Sequence, residues 1–261
     1  PISGLWDAHA HLTFNEEIGV SALPMFLANG ITNVRDTGGL LHKVLPMKQA
    51  ASDMWHQADP HAPRVFVAGP LLDGVPVVYN GEIPSFPEIG TGINTVEAAK
   101  ETVDAFKEAG VDFVKVYEML APDVFQAILA RAEHHGLAVA SHMPLRVSPY
   151  DFADPRVGSL EHMRNMEVAC GVNAERFLQE RRETIEDHQN SRPGRELRSQ
   201  LHKAHRTPSI SSEDPARCDA FLSAMIEAVI IHNPTLALNT WSTGRHVLSD
   251  EGDRKSGGEG K

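Results

Sequence analysis

Short apolar runs alternate along the 261-residue chain with longer segments whose apolar positions recur at helical spacing. The first run, "GLWDAHAHL" (4–12), reads as a strand, and residues 18–29 read as a helix closed by Gly30, a residue favoured just past a helix end. "ITNVRD" (31–36) is predicted as the second strand, residues 41–57 as a helix in spite of Pro46, and "RVFVAGPLL" (64–72) as the third strand. Thr95 and the early Glu97 favour the start of a helix over 95–109, with Gly110 as its stop. Next come "VDFVKVYE" (111–118) as a strand, a helix over 122–135 stopped by Gly136, "LAVASHM" (137–143) as a strand, a proline-bearing connection, and "VGSLEHM" (157–163) as a strand. A helix over 215–231 and the strand-like "PTLALNTW" (234–241) continue the series.

Strands alternating with helices of this length argue for βα units around a parallel sheet, whose strands are covered on both faces and therefore nearly all apolar. Repetition this regular favours a (β/α)8 TIM-barrel-like α/β fold over a doubly wound sheet, and no GxGxxG follows the first strand to support dinucleotide binding. The strands number seven, so the eighth is expected to be missing. Residues 174–217 break the pattern: they are rich in charge, poor in β-branched residues, and read as solvated helices inserted between barrel units. The expected organisation is one barrel domain over 1–245 carrying that insertion, then a polar, Gly-rich tail or loop over 246–261.

Composition narrows the function classes. With 41% hydrophobic residues the chain can bury a sizeable core, and its net charge of −11 argues against nucleic acid or an anionic membrane as partner. Cys170 and Cys218 lie outside any CxxC spacing and read as small apolar fillers. No run is long and apolar enough for a membrane span, and no basic-then-apolar signal stands at the N-terminus. Because the chain opens at Pro1 without a Met, the compartment stays open between cytoplasmic and exported.

The chemistry gathers at the ends of strands. His9 and His11 stand two apart in a predicted strand and so face the same side, which is the convergence a chelating pair needs. Lys115 places an ammonium inside a strand that should be buried, where it must be paired, neutral or chemically changed. His142 and His162 close two later strands, so four histidines and a lysine sit at the C-terminal ends of four strands, where barrel enzymes keep their active sites. His134, His135, His202 and His205 lie in helical or charged segments and read as surface residues. Tyr117 shares a strand face with Lys115 and is a candidate for binding substrate, with packing at the barrel mouth as the alternative. Arg35 and Asp36 are expected to form a structural pair or to support the site, and Glu161 to face outward, away from it. The Gly- and Pro-rich stretch over 70–95 is long enough to act as a lid or a substrate wall.

Together, "DAHAHL", "GITNVRDTGG", "FVKVYE", "ASHMP" and "SLEHM" resemble the metal-dependent amidohydrolase superfamily, nearest to its imidazolonepropionase-like and prolidase-like branch. The resemblance implies a distorted (β/α)8 barrel with one or two divalent ions, zinc above all. His9 and His11 would hold one metal, His142 and His162 the other, and Lys115, carboxylated by CO2, would bridge them as a carbamate. It further implies metal-assisted hydrolysis, in which two cations roughly 3.5–4 Å apart acidify a shared water and polarise the carbonyl under attack. The substrate is then a small molecule with an amide or ester-like bond, most simply a peptide-like C–N bond. A lactonase or phosphotriesterase would use the same centre. The family's eighth-strand aspartate has no counterpart in this sequence, since Asp250 and Asp253 fall in apparent loop, so the catalytic acid–base residue is unassigned. Its flanking β-sandwich segments are missing too, so the chain reads as truncated at both ends, and a catalytically silent metal-binding fragment is the rival reading. The bare edges of the first and seventh strands favour a homo-oligomer.

Overall fold

A computed structural model describes residues 4–15, 19–57, 61–162, 164–187 and 189–236. Its elements follow the predicted alternation. Strand β1 (Leu5–Ala10) leads to helix α1 (Leu23–Ala28), β2 (Ile31–Asp36), α2 (Leu41–Trp55) and β3 (Arg64–Val67). After β4 (Leu71–Asp73) and β5 (Gly90–Gly92) come α3 (Val96–Ala109), β6 (Phe113–Val116), α4 (Pro122–His134), β7 (Ala138–Ser141), α5 (Pro149–Phe152) and β8 (Ser159–Glu161). The chain continues through α6 (Met166–Cys170), α7 (Ala174–Glu186), α8 (Gly194–Ser211), α9 (Pro215–Glu227) and β9 (Ile231–Asn233). Local signals explain the boundaries: the Thr95 side chain accepts the Ala98 N–H at the start of α3, and Gly110 closes that helix with φ 89°.

The strands pair in parallel, in the orders β1-β2-β3 and β5-β4-β6-β7-β8-β9. The two sheets join where the Asp112 N–H donates to the Val67 carbonyl at 2.9 Å and Asp112 Oδ2 accepts the Val67 N–H at 2.8 Å. The predicted third strand is thus one bent strand in two halves, β3 and β4. It bends at Gly69, whose φ of 73° is open to glycine and strained for other residues. Among the described residues β1 pairs with β2 alone and β9 with β8 alone.

Apolar residues pack the helices onto this wall. Leu72, Val114, Val116, Val139 and Leu160 of the strands meet Val103, Phe106, Phe125 and Ile128 of α3 and α4 in the largest cluster. A second cluster seats Leu23 and Val44 against Val34, Val65 and Val67. Phe66, Ala68, Phe113 and Ala140 form a small separate cluster.

Several expectations change. The helix expected over 18–29 is α1, beginning at Leu23; residues 16–18 lie outside the described residues. The helix expected to run to 231 ends at Glu227, and the seventh strand is β9, just before the expected "PTLALNTW", of which residues 237–241 lie outside the described residues, as does the tail over 246–261. The charged segment 174–217 is not a solvated appendage. Leu197 and Leu201 of α8 and Ile185 of α7 share one buried cluster with Leu71, Tyr117 and Met119, because α8 buries Leu197, Arg198, Leu201, His202 and His205 along a single stripe at helical spacing. Cys170 and Cys218 are not separate fillers but a disulfide, with Cα atoms 4.4 Å apart, joining the end of α6 to α9.

Candidate metal centre

His9, His11, Lys115, His142 and His162 come together on one cavity of about 1030 Å³. Tyr117, Phe14, Tyr79 and Phe86 add an aromatic wall, the last two from the 70–95 segment, which therefore lines the cavity. The segment is pinned at its root. Asp73 is buried, and its carboxylate accepts the backbone N–H groups of Gly74, Val78 and Met119 at 2.8–2.9 Å. Burial raises its pKa to about 7.

Each histidine is held through Nδ1. His9 Nδ1 lies 2.6 Å from Glu161 Oε2, His142 Nδ1 2.8 Å from Glu118 Oε1, and His11 Nδ1 3.0 Å from the Gly38 carbonyl. Carboxylates and carbonyls only accept, so each of these Nδ1 atoms carries its proton. His162 Nδ1 lies 2.6 Å from Thr235 Oγ1, whose hydroxyl donates to the Pro234 carbonyl and so accepts from the imidazole. In all four rings Nε2 is left as the bare, metal-competent nitrogen. Burial, the largest influence on each, lowers all four pKa values, that of His11 to about 4, which keeps the rings neutral.

Lys115 is 1% exposed, and its Nζ has no hydrogen-bond partner. Burial drives its pKa down to about 7, against the pull of Glu161, which favours the charged form. The four imidazoles, this amine and the Asp7 carboxylate line the cavity and could take a cation. As placed, the rings pack edge-on with centroids 4.5 Å apart for His9–His162 and 4.8 Å for His142–His162. Among the described residues no three His, Cys, Asp or Glu side chains converge on a single ion position.

Glu161 points inward, contrary to the outward orientation expected from strand alternation. It is the last residue of β8 and keeps the parity of Ser159, whose hydroxyl donates to Glu161 Oε1 at 2.7 Å. His162 follows with φ 65°, a left-handed turn, so the imidazole and the carboxylate reach the same side. Arg35 donates to Glu161 Oε1 at 2.7 Å and Asn233 to Oε2 at 2.9 Å. Arg35 therefore supports the site through Glu161 and does not pair with Asp36. Asp36 accepts the Leu12 and Gly38 backbone N–H groups at 2.7 and 3.1 Å, fixing the chain on either side of His11 and its partner. Burial raises Glu161 but Lys115 and His9 outweigh it, so the carboxyl lies well below its usual range.

Two of the four histidines set aside as surface residues are buried. His202 is 7% exposed, with Nε2 at 2.5 Å from Glu118 Oε2, and His205 is 2% exposed, bonded to Glu180 and Arg181. Arg198 donates to Glu118 Oε1 at 2.8 Å and lines the cavity. His134 is exposed as expected, and His135 joins Arg131 on Asp104 between α3 and α4. Glu118, Arg198 and His202 were missed; the signal for the last two was the helical stripe they share with Leu197 and Leu201. Tyr117 is 4% exposed, its ring 4.4 Å from that of His142 and 5.6 Å from that of Tyr79, so it both packs at the mouth and borders the cavity. No strand-eight aspartate occurs among the described residues, and Asp250 and Asp253 lie outside them.

No protein-family model and no curated protein matches this sequence. Among solved structures the chain is similar to an amidohydrolase, with a TM-score of 0.53 and 19% identity over 89% of this chain and 65% of that one. It is similar also to a prolidase complexed with N-methylphosphonate-L-proline (TM-score 0.52, 16% identity, 88% of this chain and 64% of that one). A Xaa-Pro dipeptidase with methionine bound in its active site matches at TM-score 0.51 and 16% identity, over 89% of this chain and 65% of the other. The chain spans less than two thirds of the length of these proteins. At such identities the likeness is one of architecture, and in architecture the chain has the fold of the amidohydrolase and prolidase structures.

Proposed function

We propose that this chain is a divalent-metal-dependent hydrolase of the amidohydrolase superfamily, in its prolidase-like branch, that cleaves an amide or peptide-like C–N bond in a small molecule. The observation that carries this reading is the state of the four imidazoles: on one cavity, each spends Nδ1 on a protein acceptor and keeps Nε2 bare. A core histidine serving only to satisfy itself has no need of three others in the same tautomer beside it.

His9 and His11 would hold one cation, zinc above all, and His142 and His162 a second. The unpartnered Lys115 amine fits the bridging role the resemblance assigns it. As a neutral amine it can add to CO2, forming an N–C bond and releasing a proton. The product is a carbamate whose negative charge relieves the cost of a lone buried ammonium. Bound cations would supply the acidification of water and the polarisation of the carbonyl. The protein's own residues do the rest: Glu161 and Glu118 orient the rings, Tyr117 borders the reacting end and would bind substrate, and Phe14, Tyr79 and Phe86 receive an apolar portion. Residues 1–245 would form one barrel unit into which 174–217 is built. A likeness to proteins named prolidase and Xaa-Pro dipeptidase favours dipeptides over lactones and phosphotriesters as first substrates.

Elemental analysis of chain prepared with zinc and bicarbonate tests the reading. About two zinc per chain, reduced in Lys115→Ala, is the expected result. Near-zero zinc after dialysis would overturn it. Zinc retained without turnover of dipeptides, amides, lactones or phosphotriesters would establish the silent metal-binding reading instead.

A further inference from the structure

Glu118 lies where β6 ends, yet most of its partners come from far along the chain. Oε1 accepts from His142 Nδ1 and Arg198 Nη2, each at 2.8 Å, and Oε2 accepts from His202 Nε2 at 2.5 Å. Arg198 and His202 stand one turn apart on α8, and the carboxylate they hold is 0% exposed in its side chain. Three donors on one buried carboxylate leave it a single orientation, whereas one donor would let it swing.

Packing fixes α8 in that place. Leu197 and Leu201, flanking Arg198 and His202 along the stripe, are buried with Tyr117 and Met119, the neighbours of Glu118. At its first residue the helix presses on the cavity wall: a Cβ on Gly194 would lie 2.4 Å from the carbonyl oxygens of both Pro76 and Val77. From α7, Arg181 donates to Asn165 Oδ1 at 3.1 Å and to His205 Nδ1 at 3.2 Å, tying both inserted helices to the turn after β8. The disulfide Cys170–Cys218 closes the root of the insertion.

We propose that Glu118 is a positioning residue, and that α8, through Arg198 and His202, fixes the tautomer and ring orientation of His142. A neutral imidazole without a committed partner exchanges its proton between its two nitrogens, and the partner of one nitrogen decides which stays bare. Glu118 makes that choice for His142, and α8 makes Glu118 able to. The consequence for cation binding rests on the function proposed above; the tautomer does not.

The test uses metal-free intact chain, 15N-labelled at histidine, with Arg198→Met and His202→Phe against wild type, and His202→Gln as the replacement that keeps a donor for Oε2. Long-range 1H–15N correlation should show His142 with a bare Nε2 in wild type and in His202→Gln, and a mixture of tautomers in His202→Phe and Arg198→Met. Zinc affinity, from competition with a chromophoric chelator, should fall roughly 10–100-fold in the latter two. If either does not fold by circular dichroism, Glu118→Met, which keeps the side-chain length and removes the acceptor, should give the same mixture. Folded variants whose His142 tautomer and zinc affinity stay as in wild type would overturn the proposal. A tautomer shift in a protein that binds no zinc in any form would uphold the positioning role and remove the metal reading instead.

Discussion

His9 and His142 rest on the same device, an Nδ1–H given to a buried glutamate, built from two different parts of the molecule. Around His9 the glutamate is Glu161, and its other partners, Arg35, Ser159 and Asn233, belong to β2, β8 and β9. Around His142 it is Glu118, held by Arg198 and His202 of α8. Strands alone support the first ring, while the second depends on a helix inserted between β8 and β9. One ring is thus set by the strands themselves and the other by the helices packed onto them.

The largest effect expected on this contrast comes from Glu161→Ala, which leaves the Arg35 guanidinium and the His9 N–H facing a void. Loss of one partner from a buried charged pair should lower unfolding stability by about 3–5 kcal/mol in urea titration. Nearly as large, removing the disulfide by Cys170→Ser with Cys218→Ser frees a loop of sequence separation 48, for which the chain-entropy relation gives about 4 kcal/mol. Hydrogen exchange should then rise across α7–α9 and stay unchanged in β1–β3; equal rises in both regions would break the comparison. Leu201→Ala, at the face that seats α8, should cost about 2–4 kcal/mol. It should loosen His142 in the tautomer spectrum without touching His9.

A smaller effect is one of pH. Burial raises Asp73 to about 7, above its unfolded value, so its contribution to stability is full below about pH 4 and is lost as pH rises towards 7. Stability measured across that interval should slope downward less steeply in Asp73→Asn. Smallest is Arg131→Ala on the surface between α3 and α4. There Asp104, held down to about 2 by Arg131 and His135, contributes above pH 4 and stops contributing as pH falls towards 2. Neither ring should respond to it.

Much of the cavity's polar lining was readable. The period of two put His9 and His11 on one face, and the rule that barrel chemistry sits at the C-terminal ends of strands brought in Lys115, His142 and His162. Glu161 was misjudged because alternation stops where the strand stops, and the positive φ of His162 lies just beyond. Of the two roles expected for Arg35 and Asp36, pairing with each other fails because neighbours in a strand point to opposite faces, and support of the cavity residues is what their hydrogen bonds show. Arg198, His202 and the disulfide escaped for another reason. A charged helix with buried arginine and histidine has the composition of a solvated one, and composition outweighed the stripe.

What the sequence determined by itself was periodic and local: alternating βα units, their caps and glycine stops, and a set of imidazoles and one lysine carried to the ends of strands. These follow from φ/ψ preferences and side-chain spacing, which act within a turn or a pleat. Which nitrogen of each ring is bare, which carboxylate holds it, and that α8 reaches the site were decided only by tertiary structure. Those facts depend on hydrogen bonds between residues such as Glu118 and His202, 84 positions apart, and on a buried carboxylate that demands donors from whatever packs nearest.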